Sequence, residues 1–297
     1  MSVRAVDEER ALRFALWGTL QGKDGAAAVE PSVLHKLGVY RPQRGIWVDK
    51  ERTKVITADG VGVTVAILHT GTAYDDDVSD ECIEYRYPQT GMEGRDAAEI
   101  AATKNAMRLG IPVFVVAASL TAAKLRRVRL GWVANWDDRA GHFLVIFGEE
   151  PPAVSTSPDE DAPFSVQEAQ PRRLGLTSRR SGQTRFHFRV ILRYGLACAL
   201  CKIDVREVLD TPHLVPVKSH GTNDPRNGLV MCATHHRAFD AHLFGIEPET
   251  LRVRFASSGP DARRLGIHTR DLTGLAKLPH PEALDWRFRD WLERARA

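Results

Sequence analysis

Residues 198–240 read CALCKIDVREVLDTPHLVPVKSHGTNDPRNGLVMCATHHRAFD, and this stretch decides how the chain is organised. It opens on Cys198-x2-Cys201 and closes, 31 residues later, on Cys232-x2-His235. Two such knuckles place four soft or borderline ligands around one tetrahedral ion and leave no open position, which fits a structural Zn²⁺. A module with little core of its own draws folding energy from such an ion. Buried thiols beside a surface histidine are the plainer alternative. A redox pair is disfavoured, because no thioredoxin-like βαβ pattern surrounds the motif.

Inside this frame lie His213-Leu-Val-Pro216, Asn227-Gly-Leu and His236-Arg-Ala-Phe-Asp240. Neighbouring residues on a helix diverge by about 100°, so His235 can face the zinc while His236 faces elsewhere. Asp240 follows His236 by four residues and shares its helix face. A histidine plus a carboxylate with open positions suits Mg²⁺ or Mn²⁺. An imidazole titrates near working pH, which qualifies His213 as a general base. Over residues 185–246 the order and spacing of these motifs resemble the HNH endonuclease family. The resemblance implies a ββα-metal fold, a β-hairpin and a helix around one catalytic divalent ion. It assigns His213 as the base, Asn227 as the amide that pins the hairpin, and His236 and Asp240 as metal ligands. Pro212 stands where many members carry a further ligand. Asp210 is the nearest carboxylate, but three residues from His213 on an extended strand it points to the opposite face, which makes it a weak candidate. His220 and His242 read as solvated.

Upstream, residues 172–189 hold six arginines and no acid. Guanidinium groups bind phosphates bidentately, which makes Arg179, Arg180 and Arg185 candidate DNA phosphate contacts; a solvated helix face is the alternative. The stretch before it, EEPPAVSTSPDEDAPFSVQEAQP (149–171), has five prolines and an acidic cluster. It reads as an exposed, flexible linker over 151–171. The chain therefore divides into 1–150, the linker and 172–297. Residues 187–195 read as a helix. Residues 282–297 read as an amphipathic helix, whose Trp286, Phe288, Trp291 and Leu292 form a homodimer contact or cap their own domain.

The N-terminal part is strand-rich at 45–49, 61–70, 112–119, 127–136 and 142–148. Residues 96–109 read as a helix stopped by Gly110. The expectation is α+β with a barrel-like sheet. Ala73-Tyr-Asp-Asp-Asp-Val-Ser-Asp-Glu-Cys-Ile-Glu-Tyr-Arg-Tyr87-Pro, GMEGRD (91–96) and NAMRLGIPVFVV (105–116) together resemble the SRA domain, best over Val63–Val116. That resemblance implies an SRA/PUA-like β-barrel with flanking helices, which flips a modified cytosine out of DNA. It places Tyr74 and Tyr87 as the stacking sandwich, Asp77 as acceptor for the N4 amino group, and Thr90 at the remaining base edge. One extra residue between the tyrosines, and Pro88 where a pocket hydroxyl often sits, depart from the pattern. A solvated acidic loop flanked by ordinary strand tyrosines is the alternative.

The whole chain of 297 residues carries 41 basic and 38 acidic side chains, for a net charge of +3. That excludes a wholly basic, histone-like class. Four cysteines are too few for a disulfide scaffold. No leading apolar segment and no run of about 18 apolar residues occurs, so we expect a cytoplasmic protein with no membrane partner. The leading expectation is a modification-dependent endonuclease on double-stranded DNA carrying modified cytosine, with Zn²⁺ structural and Mg²⁺ or Mn²⁺ catalytic. The others are an HNH nuclease indifferent to modification and a non-catalytic zinc-stabilised DNA-binding protein.

Overall fold

Continuous β-branched runs bounded by Gly, Pro and Asp build a sheet buried on both faces. The computed structural model describes residues 3–20, 27–42, 44–69, 77–78, 81–118, 124–152, 162–167 and 176–295. They fall into two units, Met1–Val154 and Ser155–Ala297. The first contains α1 (Val3–Leu20), β1 (Ala27–Val29), α2 (Pro31–Lys36), β2 (Ile46–Val48), α3 (Lys50–Thr53), β3 (Thr64–His69), β4 (Asp77–Val78), β5 (Cys82–Arg86), α4 (Glu93–Arg108), β6 (Val113–Ala118), β7 (Arg126–Asp137) and β8 (His142–Phe147).

The eight strands run β2-β3-β6-β7-β8-β5-β4, with β1 added to β7. The β3–β6 pair is parallel and the other pairs are antiparallel. The sheet is mixed, and among the described residues it stays open, which corrects the expected barrel. Closure is one way to bury a sheet; here helices do it. In β6, Val113 and Val115 enter a core with Ala106 and Ile100 of α4, while Phe114 and Val116 enter a second core with Trp17 and Leu20 of α1. At its start β7 holds β1, through Ala27↔Val128, and further along the same strand it holds β8, through Gly131↔Phe147.

Helix α4 ends as the sequence predicts. Gly110 takes φ +57°, the left-handed region open to glycine. Its N–H bonds to Met107 O and the Ile111 N–H to Ala106 O, a Schellman closure. Helix α1 was not evident from sequence. Its Arg13 is fully buried and donates from Nη1 to Thr64 O, Val65 O and Pro112 O at 3.1–3.2 Å, with Glu9 2.6 Å from Nε. It ties α1 to the entry of the parallel pair.

The second unit contains α5 (Leu176–Tyr194), β9 (Leu209–Asp210), β10 (Met231–Cys232), α6 (Ala233–Asp240), β11 (Phe244–Ile246), β12 (Val253–Phe255), α7 (Ala262–Leu265) and α8 (Pro281–Ala295). Strands β9 and β10 pair antiparallel with Asp210↔Met231 and lead directly into α6, giving a ββα arrangement. Part of the expected linker packs onto this unit: Phe164 stacks on His280 with ring centroids 3.8 Å apart, and Gln167 bridges Gly221. The one aromatic of that segment gives it an apolar anchor. Residues 153–161 and 168–175 lie outside the described residues.

Candidate active site

Helix α5 forms the floor of the site. Its Phe186, Phe188, Val190 and Ile191 are buried, and the Phe186 ring stacks on His213 with centroids 3.6 Å apart and planes at 10°. His213 pairs with Gly228 as an isolated antiparallel bridge. A Cβ at 228 would stand 2.6 Å from Phe186 Cζ and 2.8 Å from Val190 Cγ2, so this close approach of strand to helix needs glycine. His213 Nε2 lies 3.1 Å from Asn223 Oδ1. Burial pushes the His213 imidazole down to about 4, and the Asn223 bond works the other way. The ring is therefore neutral at working pH.

Asn227 is fully buried. Its Oδ1 accepts from Val215 N at 2.9 Å, and its Nδ2 donates to Val215 O at 3.1 Å and to Thr222 O at 2.8 Å. The amide thus closes the loop that follows His213, and Gly221 lets that loop fold tightly: a Cβ there would fall 1.8 Å from Val215 O.

His236 sits between two carboxylates. Its Nδ1 is 3.0 Å from Asp210 Oδ2, and its Nε2 is 3.2 Å from Asp240 Oδ2. Asp240 occupies the i+4 position expected on the helix face. Asp210 is the surprise. Judged against His213 on its own strand it ranked low, but the β9–β10 register carries it across to α6. The two carboxylates meet opposite nitrogens of the His236 ring, so each pairs with the imidazole separately, and both are open to solvent. Behind them, buried Arg287 of α8 donates to Phe239 O at 2.6 Å and lies 3.6 Å from Asp240 Oδ1.

The ligand atoms of Cys198, Cys201, Cys232 and His235 all lie within 4.8 Å of one another. Cys201 Sγ is 3.8 Å from Cys232 Sγ, and His235 Nδ1 is 3.4 Å from Cys198 Sγ and 3.2 Å from Cys232 Sγ. Bonds of about 2.3 Å to sulfur and about 2.0 Å to nitrogen, set tetrahedrally, separate two sulfurs by about 3.8 Å and sulfur from nitrogen by about 3.5 Å. The residues fit a tetrahedral ion. His235 Nε2–H donates to Leu265 O at 3.0 Å, which leaves Nδ1 as the ligand atom. Burial, then the neighbouring thiols, push the Cys201 thiol up to about 12.

The remaining candidates are scattered. Arg185 is half-buried on α5; the side chains of Arg179 and Arg180 lie outside the described residues. In the N-terminal unit, Tyr74 and the Asp77 side chain also lie outside them, although the Asp77 backbone forms β4. Tyr87 is 8% exposed, with its ring on Phe143 at 4.4 Å and its hydroxyl donating to Asp138 at 2.9 Å. Burial and Asp138 together raise its phenol. Burial opposes ionisation of Asp138 too, but Lys104 at 2.6 Å and Tyr87 hold its carboxyl below the usual range. The Thr90 hydroxyl donates to Asp96 at 2.6 Å. His242, read as solvated, lies 2.7 Å from Asp290. Helix α8 caps its own unit: Trp291 is buried and donates to His242 O, while Trp286, Phe288 and Leu292 are half-buried.

Sequence reasoning missed Phe186, Asn223 and Arg287. None belongs to a motif; each reaches the site through a loop or a packed helix. No helix of the described residues is long and apolar enough to cross a membrane. No curated protein matches the chain. Among solved structures it is similar to a modification-dependent TagI restriction endonuclease, at 18% identity and TM-score 0.33, over 88% of this chain and 90% of that one. It is also similar to the type IV phosphorothioation-dependent restriction endonuclease ScoMcrA, at 12% identity and TM-score 0.28, over 91% of this chain and 58% of that one. Residues 198–247, within the C-terminal unit, match the family described as HNH endonuclease.

Proposed function

We propose that the chain is a divalent-metal-dependent DNA endonuclease whose N-terminal unit senses a modified cytosine. The observation that carries the nuclease chemistry is the gathering of Asp210, His236 and Asp240 on the same ββα element that holds neutral His213. Mg²⁺ or Mn²⁺ held by His236 and Asp240, with open positions left for the phosphate, would stabilise charge on the phosphoryl oxygens. His213 takes the proton of the attacking water as the water oxygen bonds to phosphorus and the bond to the 3′ oxygen breaks. Asn227 fixes the loop beyond His213, and Phe186 fixes the plane of its ring. Arg185 and its helix neighbours Arg179 and Arg180 contact phosphates. Cys198, Cys201, Cys232 and His235 hold Zn²⁺ in a structural role.

The reader role rests on the resemblance over Val63–Val116, with Tyr74, Asp77, Tyr87 and Thr90 as pocket residues. A second reading is favoured by a specific observation: Tyr87 lies against Phe143 and Thr90 is bonded to Asp96. In that reading the unit recognises something other than a flipped base. Cleavage of matched plasmids, with and without 5-methylcytosine or 5-hydroxymethylcytosine, decides between them in the presence of Mg²⁺ or Mn²⁺. Preferential cutting of modified DNA supports the first reading. Equal cutting removes the modification dependence and leaves the nuclease. No cutting of either, by wild type at any divalent ion concentration, overturns both.

A further inference from the structure

The His213 imidazole is confined on two sides. Phe186 covers its face at 3.6 Å, and Asn223 Oδ1 meets Nε2 at 3.1 Å. A carbonyl oxygen only accepts, so the ring nitrogen in this bond must carry the hydrogen. A neutral imidazole carries one hydrogen, which leaves the Nδ1 lone pair open. We propose that Asn223 is a positioning residue that fixes His213 as the Nε2–H tautomer, so that Nδ1 takes the proton from the attacking water. The proposal rests on His213 being the base of the reaction above.

The choice of an amide over a carboxylate has a chemical consequence. A carboxylate at this place would orient the ring equally well but would also stabilise its cation. Asn223 orients without adding charge. The titratable and charged groups on the elements packed around the pair make contacts of their own. From α5, Arg189 Nη1 reaches the Asn223 backbone carbonyl at 3.5 Å, and His187 Nδ1 lies 3.2 Å from Thr211 Oγ1. From the following loop, Asp224 is paired with Arg226 at 2.8 Å. Asn223 is itself placed by its neighbours: its residue follows Thr222, whose carbonyl is held by buried Asn227. The amide that closes the loop and the amide that orients the base are thus linked through the backbone.

The test uses the full chain labelled with ¹⁵N-histidine, with the His213 signals assigned by their absence in His213→Gln. Long-range ¹H–¹⁵N spectra at neutral pH are expected to show Nε2 protonated and Nδ1 bare in wild type. Asn223→Ala is expected to populate the Nδ1–H form. It should lower kcat for plasmid nicking by on the order of 10- to 100-fold, with the KM for DNA little changed. Asn223→Asp is expected to keep the Nε2–H tautomer and recover much of the neutral-pH rate. It should also move the acid limb of the pH–rate profile up by about one unit or more. A wild-type spectrum with Nδ1 protonated overturns the proposal. So does an Asn223→Ala chain that keeps both its tautomer and its kcat. The spectrum reads the tautomer whether or not DNA is cut, so a failed tautomer and a failed nuclease assignment are separate results.

Discussion

At the scale of single residues, the site depends on groups that must be small or neutral. Gly228→Ala places a methyl group 2.6 Å from Phe186 Cζ, in a position where both residues are buried. Overpacking of this kind costs about 1–3 kcal/mol, and here the strain falls on the ring that supports His213. The expected outcome is a lower midpoint in urea unfolding and a larger loss of nicking activity than that stability change explains. The neutral state of His213 gives a second prediction. Its imidazole is pushed down to about 4 when folded, against about 6.5 for a free histidine. Above 6.5 neither state holds a proton there, and this contribution to stability is complete. As pH falls, the unfolded chain binds the proton first, so the contribution is lost as pH passes down through the folded value. The pH–rate profile of the metal-loaded enzyme should accordingly keep its base functional well below pH 6. An acid limb centred at 6.5 or above would contradict this. His213 and Asn227 were legible from their motifs, because the chemistry needs those types at that order. Asn223 and Phe186 were not, because what selects them is a ring plane and a loop path.

At the scale of elements, long apolar runs were easy to read and polar or very short elements were not. β3, β6, β7, β8 and α4 follow from β-branched runs, helix formers and a stop glycine. Helix α1 did not, since its apolar stripe is interrupted by charge, and the interruption includes buried Arg13. Strands β9 and β10 are only two residues each, and their register decides where Asp210 goes. Strand alternation sets Asp210 on the face opposite His213, but it does not tell which element the β9–β10 register brings up against that face. Helix α8 illustrates the same limit. Its Arg287 lies over the Phe239 ring at 4.1 Å, donates to the last turn of α6 and faces Asp240 and Asp290. Arg287→Met leaves those acceptors without their cation. The carboxylates keep access to solvent, so the main loss is the bond to the Phe239 carbonyl, and a buried bond of this kind left unmade costs about 1–3 kcal/mol. A thermal melt should show it, together with a higher Mn²⁺ concentration for half-maximal nicking. An unchanged melt and unchanged Mn²⁺ requirement would remove α8 from the support of the site.

At the scale of the whole molecule, the near-neutral total conceals two opposite halves. Up to Val154 there are 19 basic and 21 acidic side chains; from Ser155 there are 22 and 17. The net +3 is thus −2 in one unit and +5 in the other, with the excess positive charge in the unit that contains the residues matching the HNH endonuclease family. Metal analysis of the purified chain should find about one tightly held zinc, lost in Cys198→Ala together with the native fold of that unit. Loss of the metal with the fold intact would contradict a structural role. His235 and His236 are separated by a single peptide bond; the first joins the Cys198, Cys201 and Cys232 cluster and the second meets Asp210 and Asp240. Helix α6 is also held by buried Phe239 and by Arg287 of α8, so the ion would add to a placement that packing already favours. Loss of the ion in Cys198→Ala is therefore expected to disturb the contacts of His236 with Asp210 and Asp240 as well.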